Sequence, residues 1–102
     1  MKTKSMESRT KGTMILRYSG RFYKVITVRS RGDNTYTFEC KDNDTKQSKT
    51  LKFSLSGFLE AADRAFSVMK GPKDIFFLDL DHGGEWKIMS EDQLNMIDGF
   101  LN

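Results

Sequence analysis

Asp79, Asp81 and His82 stand together where an apolar run ends, in IFFLDLDHGG (residues 75–84). Two carboxylates one residue apart could share a divalent cation, or divide nucleophilic and acid–base work between them, and a neighbouring imidazole could move a proton. Two glycines behind them allow the positive φ that a phosphate-cradling loop or a tight turn needs. A plainer arrangement has the same letters: acids at a strand end followed by a glycine turn, which is a solvated hairpin tip. As a calcium loop the stretch is incomplete. With Asp79 and Asp81 at loop positions 1 and 3, Gly84 falls on the position-6 glycine, but position 5 is Gly83 and position 12 is Ser90 rather than a bidentate glutamate.

The run IFFLDLD resembles the first motif of the haloacid-dehalogenase phosphotransferases, where a buried strand ends in Asp-x-Asp. That resemblance implies Asp79 as nucleophile, Asp81 as acid/base and magnesium between them. It covers about seven residues. Gly83 and Gly84 stand where the family's Gly-Thr pair begins one residue earlier, and the eighteen residues after Gly84 are too few for its later Ser/Thr, Lys and acidic motifs. Nor is there room for a doubly wound parallel sheet. The hairpin tip is therefore the expected role, in a chain that is not an enzyme and carries no cofactor and no metal centre. A single histidine and the lack of any Ser/His or Cys/His spacing agree with that.

A second group of residues could do a different chemistry. Residues 1–56 hold thirteen of the seventeen basic side chains and five acids, net +8, whereas residues 57–102 hold four basic and nine acidic ones, net −5. Such a dipole attracts polyanions at one end. Strand parity sharpens this. In TYTFECK (35–41) Tyr36, Phe38 and Cys40 share one face, and in SKTLKFSL (48–55) Leu51, Phe53 and Leu55 do, which leaves Thr35, Thr37, Glu39, Lys41, Thr50 and Lys52 opposite. In FYKVITVRS (22–30) parity sets Arg21, Tyr23, Val25, Thr27 and Arg29 against Phe22, Lys24, Ile26 and Val28. With the Phe22 face in the core, the outer sheet surface combines Arg17, Arg21, Tyr23, Thr27, Arg29, Lys41 and Lys52. Cations would neutralise phosphates there and Tyr23 would stack on an unpaired base. With the Tyr23 face in the core, that surface loses its stacking residue and two arginines.

The elements that must position these residues are readable from period. TMILRYS (13–19) and the three stretches above are expected as a four-stranded antiparallel meander with short turns. GFLEAADRAFSVMK (57–70) changes to helical spacing, with Phe58, Ala62, Ala65, Phe66 and Met69 on one stripe and Gly71-Pro72 as the stop. DIFFLDL (74–80) and EWKIM (85–89) are a fifth and sixth strand, and Ser90 with Gln93 forms a capping box that opens a last helix over 91–102. The expectation is an α+β fold, ββββα-ββα, with residues 1–12 a flexible basic arm and 13–102 one domain.

Composition narrows the classes further. A chain of 102 residues has room for one core, and its single cysteine excludes an intrachain disulfide and a cysteine-based zinc site. The basic N-terminus lacks an apolar signal core and no run is long enough to span a membrane, so a cytoplasmic protein is expected. Four strands then a helix over residues 13–70, with a basic sheet, is similar in strand order and charge to the single-stranded-DNA-binding modules of the transcriptional-coactivator and Pur-alpha kind. That similarity implies binding on a curved antiparallel sheet, and homodimers. The leading expectation is a small nucleic-acid-binding protein that prefers single-stranded DNA or RNA. The alternative is a regulator or inhibitor docking on a protein partner through its acidic half, at Asp79, Asp81 and Glu85.

Overall fold

Residues 4–5, 12–97 and 99–100 are described by the structure, a computed structural model, with the backbone alone for 4–5. The strands are β1 (Lys4–Ser5), β2 (Thr13–Tyr18), β3 (Arg21–Ser30), β4 (Thr35–Asp42) and β5 (Ser48–Ser54), followed by helix α1 (Phe58–Val68). After it come β6 (Asp74–Asp79), a 3₁₀ turn (Leu80–His82), β7 (Glu85–Ser90) and the short helix α2 (Glu91–Asn95). The α+β order ββββα-ββα read from the sequence is the order adopted, with β1 added before the meander. The flexible arm expected over 1–12 falls outside the described residues, apart from Lys4–Ser5 and Gly12.

All strands join one sheet in the order β5-β4-β3-β2-β6-β7, with β1 on β3 beyond the end of β2. Every pairing is antiparallel except β2 with β6, which run parallel from Thr13↔Ile75 to Arg17↔Asp79. Helix α1 makes the crossover that this parallel pairing requires. It buries Phe58, Ala61, Ala62, Ala65 and Phe66 against Leu16, Phe38, Phe76 and Leu78, among the least exposed side chains of the protein. A second, smaller cluster of Ile15, Phe22, Ile75, Phe77, Met89 and Leu94 fills the other face of β2 and β6 under α2. β2 and β6 are buried on both faces, which explains their unbroken apolar runs.

Two details shape the sheet. Between Val25 and Thr27 the β3–β4 register slips, so Ile26 is a bulge. A bulge adds a residue to one strand, bends it and reverses face parity beyond it. The consequence is visible across the sheet: Tyr18 of β2 meets Phe53 of β5 at 4.9 Å between ring centroids. Three strand spacings in a flat sheet would hold them about 14 Å apart, so the sheet curls around α1.

The helix ends differ from the sequence expectation. α1 stops at Val68, because Met69 is already extended (φ −71, ψ 134), three residues before Pro72. The capping box of Ser90 and Gln93 is present, yet α2 ends at Asn95, and Gly99 takes φ 90. Five residues bury Leu94 and leave the rest of the closure to Ile97 and Phe100.

Gly12 enters β2 where there is no space for a side chain. A Cβ there would land on the carbonyl oxygen of Asp74 and on Met69 Cε. Gly12→Ala is expected to cost about 1–3 kcal/mol, as overpacking does, and to lower the thermal midpoint by roughly 4–8 °C per kcal/mol. Gly71→Ala, with nothing within 4 Å of the added carbon, is the control. Equal midpoints for the two variants would overturn the close-packing account.

Candidate nucleic-acid interface

The acidic hairpin and the basic sheet occupy different parts of this frame. The turn between β2 and β3 is Ser19-Gly20, both at positive φ (54 and 75), a two-residue hairpin link. Its two exposed N–H groups both donate to the Asp81 carboxylate, at 2.7 and 2.9 Å. Asp79, one residue short of the 3₁₀ turn, accepts from both Arg17 Nε and Nη2, from the Asp81 N–H, and lies 2.8 Å from His82 Nδ1. The Arg17 guanidinium in turn lies over the rings of Phe22 and Phe77, at 5.5 and 5.7 Å. Burial by itself pushes the Asp79 carboxyl up, but the hydrogen bonds and charges of Arg17 and His82 outweigh it and hold Asp79 below the usual carboxylate range.

Asp79 and Asp81 therefore tie the β6–β7 tip to the β2–β3 tip. The hairpin expected from the sequence is what forms, and both carboxylates are engaged by protein groups. The three acids expected to dock a protein partner are therefore not equivalent. Of Asp79, Asp81 and Glu85, Asp79 is buried under Arg17, Asp81 is exposed but holds the Ser19-Gly20 turn, and Glu85 is exposed. Among the described residues no group of three or more His, Cys, Asp or Glu is placed to hold a metal ion, and no helix is long and apolar enough to cross a membrane.

The basic surface also differs from its sequence outline, because of the Ile26 bulge. Before it, Tyr23 and Val25 face α1 and Phe22 and Lys24 face away; after it, Val28 faces α1 and Thr27 and Arg29 face away. Phe22 and Tyr23 are both buried, at 6% and 3% exposure, one in each core. Tyr23 is thus no exposed stacking plane, and the platform expected around it is corrected. Arg21 shares its face and pairs with Asp42 at 2.8 Å. Asp42 also accepts from the backbone of Thr45 and Asp44, and these bonds, Thr45 first, draw its carboxyl below the ordinary range against the opposing effect of burial. Arg17 faces away from α1 but is committed to Asp79. On the α1 face, burial first and Asp42 second push the Cys40 thiol up to about 11, so it carries no nucleophilic role at neutral pH.

What remains is a continuous open face on β3, β4 and β5. The register aligns Lys24 with Lys41 and Ser48, Thr27 with Glu39 and Thr50, and Arg29 with Thr37 and Lys52. Of the residues expected at this interface, Thr27, Arg29, Lys41 and Lys52 come together, with Thr27 largely covered. Lys24 and the half-exposed Ile26 join them, and parity reasoning missed both because it assumed an unbroken strand. Arg29 pairs with Glu39 at 3.2 Å, both half-exposed. Lys24, Lys41 and Lys52 are exposed and have no carboxylate partner among the described residues. Thr37 Oγ1, between Arg29 and Lys52, has no hydrogen-bond partner among them either. No protein-family model, curated protein or solved structure matches this chain.

Proposed function

We propose that this chain is a small non-catalytic nucleic-acid-binding protein that neutralises phosphates on the open face of β3–β5 and prefers single strands. The observation that carries the reading is the Lys24–Lys41 pair. Like charges directly opposite each other across antiparallel strands destabilise a sheet, and neither lysine has a carboxylate at ion-pair distance among the described residues; a bound polyanion would offset them. Arg29 and Lys52 extend the same cationic strip across three strands. The preference for single strands rests on shape. Proteins that read duplexes insert a helix or a projecting ribbon into a groove, whereas these cations lie flat on a sheet. The first turns of both helices carry acids: Glu60 on α1, Glu91 and Asp92 on α2. A sheet face accommodates an unpaired backbone whose bases can splay.

The test is fluorescence anisotropy with a labelled twelve-nucleotide oligo-dT and the matching duplex. Four phosphate contacts to a single strand give a salt slope near −2.8, so affinity is expected to fall roughly 50-fold between 50 and 200 mM salt. Tighter binding to the duplex, or an affinity indifferent to salt, would overturn the reading.

A further inference from the structure

On the opposite side of β5 from the cationic strip lies a hollow of about 500 Å³, within the range of small-molecule sites. Leu55, Phe58 and Leu78 give it apolar walls, and Ser54, Arg64 and Trp86 bring a hydroxyl, a cation and an indole to it. Trp86 keeps 38% exposure, although Phe76 packs against it nearly perpendicular at 5.4 Å. An indole held on one side and open on the other is a ready stacking surface. Arg64 is exposed and has no ion-pair partner among the described residues.

The hollow and the open face meet at the end of β5. Ser54 lies two residues beyond Lys52, on the same side of β5 by parity, and it lines the hollow. A chain crossing the Arg29–Thr37–Lys52 row therefore reaches the hollow by passing over the end of β5. We infer that this hollow receives one nucleobase of the bound strand, stacked on Trp86, with Arg64 beside its phosphate. The inference rests on the proposed function and deepens it: the open face supplies charge, and Trp86 supplies the contact that only an unpaired base can make.

Trp86 is the single tryptophan of the chain, so its emission reports on the surroundings of this one indole. Unlabelled oligo-dT titrated into the full chain at 150 mM salt is expected to change that emission with the same midpoint as the anisotropy titration. Trp86→Leu should weaken single-strand binding by roughly 5- to 150-fold, the range of one stacked base, and leave duplex binding unchanged. Trp86→Phe, which keeps a ring, should restore most of the loss and guards against a folding defect. Oligonucleotide binding with unaltered Trp86 emission, and with Trp86→Leu within twofold of wild type, overturns this inference and leaves the open-face reading standing. No oligonucleotide binding at all overturns both.

Discussion

With Lys24, Arg29, Lys41 and Lys52 all changed to alanine, the protein will bind oligo-dT with no more salt dependence than a remaining Arg64 contact supplies, and at 50 mM salt no more tightly than wild type does above 200 mM. Each phosphate contact to a single strand contributes about 0.7 to the slope of log affinity against log salt, so removing four erases a slope near 2.8. The same variant should be as stable as wild type or slightly more so, because the Lys24–Lys41 repulsion, worth about 0.2–1 kcal/mol in a cross-strand pair, disappears. Opposite signs in the two measurements are what a surface shaped for a ligand produces. A variant that loses stability in proportion to binding would instead make these side chains part of the fold. One that keeps the wild-type salt slope would move the interface elsewhere.

Asp79→Asn is expected to cost about 3 kcal/mol at neutral pH. Removing one partner of a buried ion pair costs about 3–5 kcal/mol, and the low end applies because Arg17 retains 22% side-chain exposure against 12% for Asp79. The loss leaves Arg17 sandwiched over Phe22 and Phe77 without its carboxylate. The pH dependence follows from the direction of the Asp79 shift. Its folded-state value lies below the ordinary one, so the native state holds the carboxylate more tightly than the unfolded chain does. That contribution is complete above the unfolded value, about 3.9 for aspartate, and fades as pH falls through the lower folded value. Urea unfolding should show a constant gap between wild type and Asp79→Asn from pH 7 to 5, narrowing only below about pH 4. A gap that changes between pH 7 and 5 would sink this account.

Local patterns were legible in the sequence and long-range ones were not. Alternation in Thr35–Asp42 and Ser48–Ser54 identified which side chains are core, since each strand has one apolar face. The stripe on α1 and the Ser90–Gln93 box are signals contained within a few residues, and both are present. β3 defeated the same method. Its face assignment depends on a bulge at Ile26, which no alternation within β3 announces. For that reason Tyr23, placed on the outer surface by parity, is buried and Arg21 lies on the α1 side, while Lys24 lies on the open face. The Asp79-x-Asp81 motif was ambiguous for a related reason. Nothing near it in sequence indicates that Arg17 and the Ser19-Gly20 turn, about sixty residues earlier, supply its partners. The last helix was overextended because Leu94, Ile97 and Leu101 satisfy helical spacing beyond the point where Asn95 ends α2.

The parallel pairing of β2 with β6 also determines how this protein comes to be folded. β2 needs a partner about sixty residues downstream, and until β6 arrives its apolar edge has only β3. Closing so long a loop must precede the contacts that reward it, which slows folding in proportion to such non-local pairing. During synthesis the meander from β2 to β5 would leave the ribosome with Leu16 and Phe38 uncovered, and only the arrival of α1 and β6 would bury them. The meander is therefore no independent unit. Its core is completed only when β6 pairs with β2, a non-local contact of the kind that slows folding.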